Sequence, residues 1–249
     1  MTSARTLIAS AMLGLSSLAF ALPASAIDVK SEDQIDAEYK AAKDKCDAMS
    51  GKQEDACVAS AKAERDKALA DAKVGKAEAE AVAKRIGEIK GVSAVYASPL
   101  ERARETAAPI GKILGQKVQI HKGLLECDFG DWTGAQLTAL MKKPEWTTVQ
   151  KAPSTFRFPH GESFTEMQQR MVSALDDIRA KHPGGIVVCV SHADPIKAAV
   201  AHAMGTHIDL FQRIVISTCS VSAVAYSPSG PVVLTVNSTG GSLADLRPS

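Results

Sequence analysis

Apolar residues are spread along this chain in three different ways, and each way predicts a different kind of segment. From Thr6 to Leu22 they run almost without polar relief, TLIASAMLGLSSLAFAL, behind one positive charge at Arg5 and ahead of Pro23-Ala24-Ser25-Ala26. A charged start, a short apolar stretch and small residues at an A-x-A site are the three parts of a secretory signal peptide. Residues 1–26 are therefore expected to be one, with cleavage after Ala26. Ser10, Gly14, Ser16 and Ser17 interrupt the run, which argues against a retained membrane anchor. The expected product is exported, periplasmic or secreted, with no stable membrane span after cleavage.

In the second segment, residues 27–75, the pattern inverts: Ala, Lys, Asp and Glu dominate and large apolar residues are few. Such a composition favours helix by propensity yet offers little to bury, so a solvated charged helix or hairpin is expected. Acids and bases alternate without a wide apolar face, unlike a cationic membrane-surface helix. In an oxidising compartment Cys46 and Cys57 could close a small loop around Ser50-Gly51-Lys52-Gln53 and staple the hairpin.

From Ala77 onward, in residues 76–249, apolar residues become periodic. Val82, Ile86 and Ile89 fall at helical spacing within Ala77–Ile89, and Gly91 stops that helix. Short buried strands are expected at Val92–Ala97 and Ile186–Val190 and a further strand at Lys117–His121, with helices at Leu100–Leu114, Glu162–Lys181 and Asp194–Ala203. Pro195 suits an early helical position, where its missing donor costs nothing. Ser220–Tyr226 and Val232–Val236 bracket the turn Ser-Pro-Ser-Gly-Pro and predict a terminal hairpin. Helices alternating with buried strands give an α/β three-layer sandwich around a largely parallel sheet.

Composition narrows the function. A net charge of +1 and 4% aromatics leave neither a basic footprint nor stacking platforms, so no nucleic-acid partner is expected. Cys127, Cys189 and Cys219 lie in segments read as buried, and no two of the five cysteines show the short paired spacing of a structural zinc site. No metal site is expected.

In such folds ligands sit beyond the carboxyl ends of the strands. Ser98, Arg102 and Arg104 follow one strand, Ser191, His192 and Asp194 follow another, and Glu126 and Asp128 lie in the irregular segment LLECDFGDWTG. An arginine that can clamp phosphate oxygens, a histidine and a carboxyl make a site for phosphoryl chemistry. Trp132, Trp146 and Phe156 to Phe158 are read as packing residues rather than cleft walls.

Four stretches carry a resemblance: SPLERARET at 98–106, LECDFGDWTG at 125–134, PHGES at 159–163 and VSHAD at 190–194. Together they resemble the histidine phosphatase superfamily, the phosphoglycerate-mutase-like group of phosphatases and phosphomutases. The resemblance implies a phosphate-binding Arg102, a general acid or base Glu126, and a His192 that contacts the transferring phosphoryl group. It implies no cofactor and a small phosphomonoester or phosphate as partner; oligomeric state stays open. Ala193 stands where many members carry glycine. The family's nucleophile belongs to an Arg-His-Gly triplet on its first strand. No such triplet occurs here, and all six histidines, from His121 on, follow the SPLER motif.

The expectation is thus a fold with its first strand missing and a homologue that binds phosphomonoesters while catalytically impaired. The alternatives are an active phosphatase using His192 or His160 as substitute nucleophile, an exported helical interaction protein, and a chimeric product joined near Lys76. In the last case the export expectation falls and the protein is cytoplasmic.

Overall fold

The strands expected after Lys76 all form, and a further one joins them at the centre of the sheet. The computed structural model describes residues 4–10, as backbone, together with residues 32–244 and residue 246. The strands are β1 (Ala4–Ser10), β2 (Val92–Ala97), β3 (Val118–Ile120), β4 (Ile186–Ser191), β5 (Val221–Ser227) and β6 (Gly230–Ser238), in the order β3-β2-β4-β1-β5-β6. β3, β2, β4 and β1 run parallel, and β5 and β6 close the far edge antiparallel.

The central strand corrects the expectation of a missing first strand. β1 pairs with β4 from Arg5 opposite Ile186 to Ser10 opposite Ser191, and with β5 from Ala4 opposite Tyr226 to Ala9 opposite Val221. A strand covered on both faces reads as a continuous apolar run rather than an alternating one. ARTLIAS therefore satisfies the pattern of a signal-peptide core and that of an interior strand equally well. The expected cleavage site after Ala26 lies outside the described residues.

Side chains along the parallel strands alternate between the two faces, as the pleat requires. Val95, Ala97, Val188 and Val190 pack under α2 (Lys52–Gly87) and α3 (Glu101–Leu114). Ala94, Tyr96, Val187 and Cys189 pack under α6 (Phe164–Lys181) and α7 (Ala193–Ala203). The result is a three-layer sandwich. A third core unites Trp132, Phe156, Phe158, Phe164 and Phe211, with Phe158 and Phe164 rings 5.2 Å apart; Trp146 packs against it. These aromatics pack, as expected. Between them run two short helices, α4 (Leu137–Leu140) and α5 (Trp146–Lys151). Ser163 starts α6 with a capping box, its Oγ accepting from Glu166 N–H while Glu166 accepts from Ser163 N–H.

The charged segment is a helical hairpin, α1 (Glu32–Cys46) against α2, closed by a Cys46–Cys57 disulfide. α2 continues without a break through the change of composition at Lys76. Its end is anchored by Arg85, which donates to the carbonyls of Ser238, Gly240 and Gly241. Cys127, Cys189 and Cys219 are free and buried. No helix among the described residues is long and apolar enough to cross a membrane.

The hairpin buries little, with Ile35, Cys46 and Ala61 its main covered apolar residues. The disulfide should then contribute much of its stability, about 2–3 kcal/mol for a loop of this size. Reduction is expected to speed tryptic cleavage within α1 several-fold while the thermal transition of the sheet domain stays in place. Unchanged cleavage would show that helix packing alone holds α1.

Candidate active site

Two parallel neighbours, β2 and β4, end side by side, and each feeds a helix at once. Ser98 N–H donates to Val190 O at 2.9 Å, which extends the ladder one residue and sets Ser98 beside the end of β4. His192 follows at the N-cap of α7 and is fully buried. Its Nε2 lies 2.8 Å from Ser98 Oγ. That hydroxyl also accepts from Leu100 N–H at 3.3 Å. The hydroxyl keeps its own hydrogen and a second lone pair; with that hydrogen donated to Nε2, the imidazole proton sits on Nδ1. Among the described residues Nδ1 has no hydrogen-bond partner. Burial, then the positive charges of Arg102 and Arg170, push the His192 pKa down to about 3. The ring is a neutral N–H donor at physiological pH.

Arg102 sits in the first turn of α3 and is half-buried, whereas Arg104 faces solvent. The N-termini of α3 and α7 both begin at this rim, where helix ends favour anions. Glu126 approaches from the loop after β3. It is buried, and its Oε1 accepts from Cys127 N–H at 3.0 Å. Burial above all, then the Asp194 charge, raises its pKa to about 8 against the opposing pull of Cys127 N–H, Arg102 and Lys197. Glu126 therefore holds its proton at neutral pH, the state a general acid needs. Asp194 is balanced by buried Lys197, whose Nζ donates to Asp194 Oδ1 at 3.0 Å and to Gln212 Oε1 at 3.2 Å.

Of the residues singled out from sequence, Ser98, Arg102, Glu126, His192 and Asp194 thus meet in one cluster. Asp128 stays outside: it is exposed, and its Oδ1 accepts from Gly130 N–H to close a turn. His160 is also outside, on an exposed turn with its Nδ1 3.0 Å from Asp131 Oδ2. Lys197, Gln212, Arg170 and Glu162 were missed as site residues. Arg170 had a signal: it lies between Met167 and Met171 on a helix whose apolar stripe it borders, where a charge calls for a partner. No group of three or more potential metal ligands occurs among the described residues.

Residues 64–239 match the family model described as histidine phosphatase superfamily (branch 1). A bifunctional protein of Mycobacterium tuberculosis is 32% identical over 162 residues, which make up 64% of this chain and 44% of the relative. The chain thus spans less than half the length of that relative. Phosphoserine phosphatase 1 of Hydrogenobacter thermophilus is 28% identical over 164 residues, 65% of this chain and 77% of the relative. Among solved structures, a mycobacterial glucosyl-3-phosphoglycerate phosphatase superposes with a TM-score of 0.61 at 20% identity, over 66% of this chain and 85% of the other. That protein has also been solved with inorganic phosphate.

Proposed function

Because the chain belongs to the histidine phosphatase superfamily, we propose that its cluster of Arg102, Glu126 and His192 binds phosphate and small phosphomonoesters without turning them over. The observation that carries this is His192 itself: a buried, neutral imidazole whose free N–H donor stands in the field of Arg102. Such a group recognises an anion by donation, with the guanidinium supplying charge.

In the family's reaction a histidine attacks phosphorus and a carboxylic acid protonates the leaving oxygen. Glu126 is suited to the second task, and His192 to holding the phosphoryl oxygens. Within these 249 residues no histidine precedes His121, so none stands in β1 or directly after it to supply the attack. His192 as substitute nucleophile would have to leave the role of anion donor empty.

Calorimetric titration with phosphate at neutral pH tests the reading. Arg102→Ala should weaken binding roughly tenfold to a hundredfold, the usual worth of a charge-assisted contact. Equal or absent heats in both proteins would end the proposal. Sulfate, which does not titrate here, should bind progressively less well as pH rises through about 8. The sign follows from Glu126, which is neutral below that value and becomes a carboxylate that repels the anion above it.

The Cys46–Cys57 disulfide supports a second element of the proposal, maturation in an oxidising compartment. Mass spectrometry of the native protein, alkylated without reduction, would detect the bond; two free thiols there would refute it.

A further inference from the structure

Four consecutive carbonyls of the loop that carries Glu126 are each held by a side chain from elsewhere in the fold. Arg170 Nη1 donates to Gly123 O at 3.0 Å and to Leu125 O at 2.9 Å. Its Nη2 donates to Glu126 O at 3.1 Å. Ser191, the last residue of β4, donates through Oγ to the remaining carbonyl, Leu124 O, at 2.9 Å. The two hydrogens of Arg170 not used on the loop go to Glu162, from Nε to Oε1 at 2.7 Å and from Nη2 to Oε2 at 2.8 Å. All the N–H donors of the guanidinium are then committed. Glu162 Oε2 also accepts from Asp128 N–H at 3.1 Å, so the ion pair grips the chain on both sides of Glu126. Gly123 lets the loop lie directly on α6, because a Cβ there would collide with the Cβ of Ala174.

We propose that Arg170, oriented by Glu162, is a positioning residue for Glu126: it fixes the backbone of residues 123–126 so that the carboxyl stays buried beside Arg102 and His192. The inference rests on the phosphate-site reading above and adds the device that keeps the acid in place. Lysine could not replace Arg170, since three donors on one nitrogen cannot span three carbonyls and a two-oxygen carboxylate.

The mechanism makes a prediction that ordinary destabilisation does not share. The groups facing Glu126 are Asp194 and Lys197 from α7, Arg102 from α3, and its own neighbour Cys127, and burial is the largest influence on its protonation. Arg170 itself contacts Glu126 through the backbone carbonyl and not the carboxyl. Releasing the loop would let water reach the carboxyl and return it towards the ordinary carboxylate range.

Carbon-13 NMR of protein labelled at glutamate Cδ reads this without any ligand, with the Glu126 signal assigned from Glu126→Gln. In the parent chain the midpoint should lie near 8. In Arg170→Gln and in Glu162→Gln it should fall by more than about two pH units, beyond the scatter of about one unit among carboxyls of folded proteins. Arg170→Lys should fail to restore it. A folded Arg170→Gln that keeps the parent midpoint overturns the proposal, as does a parent midpoint in the ordinary range. If Arg170→Gln does not fold, Glu162→Gln decides, since it keeps the guanidinium and removes only the charge that orients it. Absence of phosphate binding alongside a shifted midpoint would remove the anion-site reading and leave the positioning role standing.

Discussion

A chain beginning at Ile27 should lose cooperative folding, because it lacks β1. That strand is paired on both sides, to β4 from Arg5 to Ser10 and to β5 from Ala4 to Ala9. Its neighbours are buried along most of their length: Val187 to Ser191 on one side and Val221 to Ala225 on the other. Removing it strands a row of buried N–H and C=O groups, each costing about 1–3 kcal/mol. A few of those exhaust a domain's whole stability of about 5–15 kcal/mol. Circular dichroism melts of the full chain and of residues 27–249 measure the effect. The full chain should unfold in one sharp transition and the shortened one should show none. A sharp transition in the shortened chain would mean that β4 and β5 can close the gap without the strand.

This result also bears on export. Signal cleavage after Ala26 and the six-stranded sheet are alternatives for one molecule, since both use residues 4–10. N-terminal sequencing of the protein isolated from each cell fraction tells them apart: a chain starting at Ile27 is not the molecule whose sheet is described above.

The second large effect is a gain. Replacing Ser10-Ala11-Met12 by Arg-His-Gly, beginning at the last residue of β1, should raise hydrolysis of p-nitrophenyl phosphate by about a hundredfold or more. Loss of a nucleophile commonly costs several orders of magnitude, and its return recovers part of that. The basis is register. Ser10 pairs with Ser191, the residue before His192, so β1 delivers the chain to the same rim as β4. On the phosphate-site reading proposed above, Arg102, Glu126 and His192 would serve there as clamp, acid and N–H donor. Quenching in alkaline detergent, which spares the acid-labile P–N bond, should reveal a phosphohistidine in the variant and none in the parent. Substantial parent activity that disappears in His192→Ala would instead favour His192 as nucleophile, and the impaired reading would fall.

Much of this molecule was legible as pattern. The spacing of Val82 and Ile86 is helical, and the short apolar blocks 92–97 and 186–190 are marked as strands by their length and the glycines that precede them. The three-layer sandwich follows from their alternation. Cys46 and Cys57 were placed by their spacing around a turn, and Arg102, Glu126 and His192 by their positions after strands or in an irregular loop. In each case the information is local, or it repeats.

What sequence could not decide is where local pattern is degenerate or where partners lie far apart. Residues 4–10 show the first kind of limit. An apolar run is equally a signal core and an interior strand, and only pairing with Val187–Ser191 and Val221–Ala225 distinguishes them. Arg170 shows the second. Its partners are Glu162, eight residues away, and carbonyls more than forty residues away; backbone acceptors leave no mark on side-chain identity. The protonation of Glu126 belongs to the same class, since burial and the charges of Asp194, Arg102 and Lys197 exist only once separate elements meet. The sequence by itself determined the elements, their faces and the residue types at the rim. The tertiary structure alone decided which strand fills the centre of the sheet and which proton each site residue holds, because both depend on neighbours that the order of the chain does not bring together.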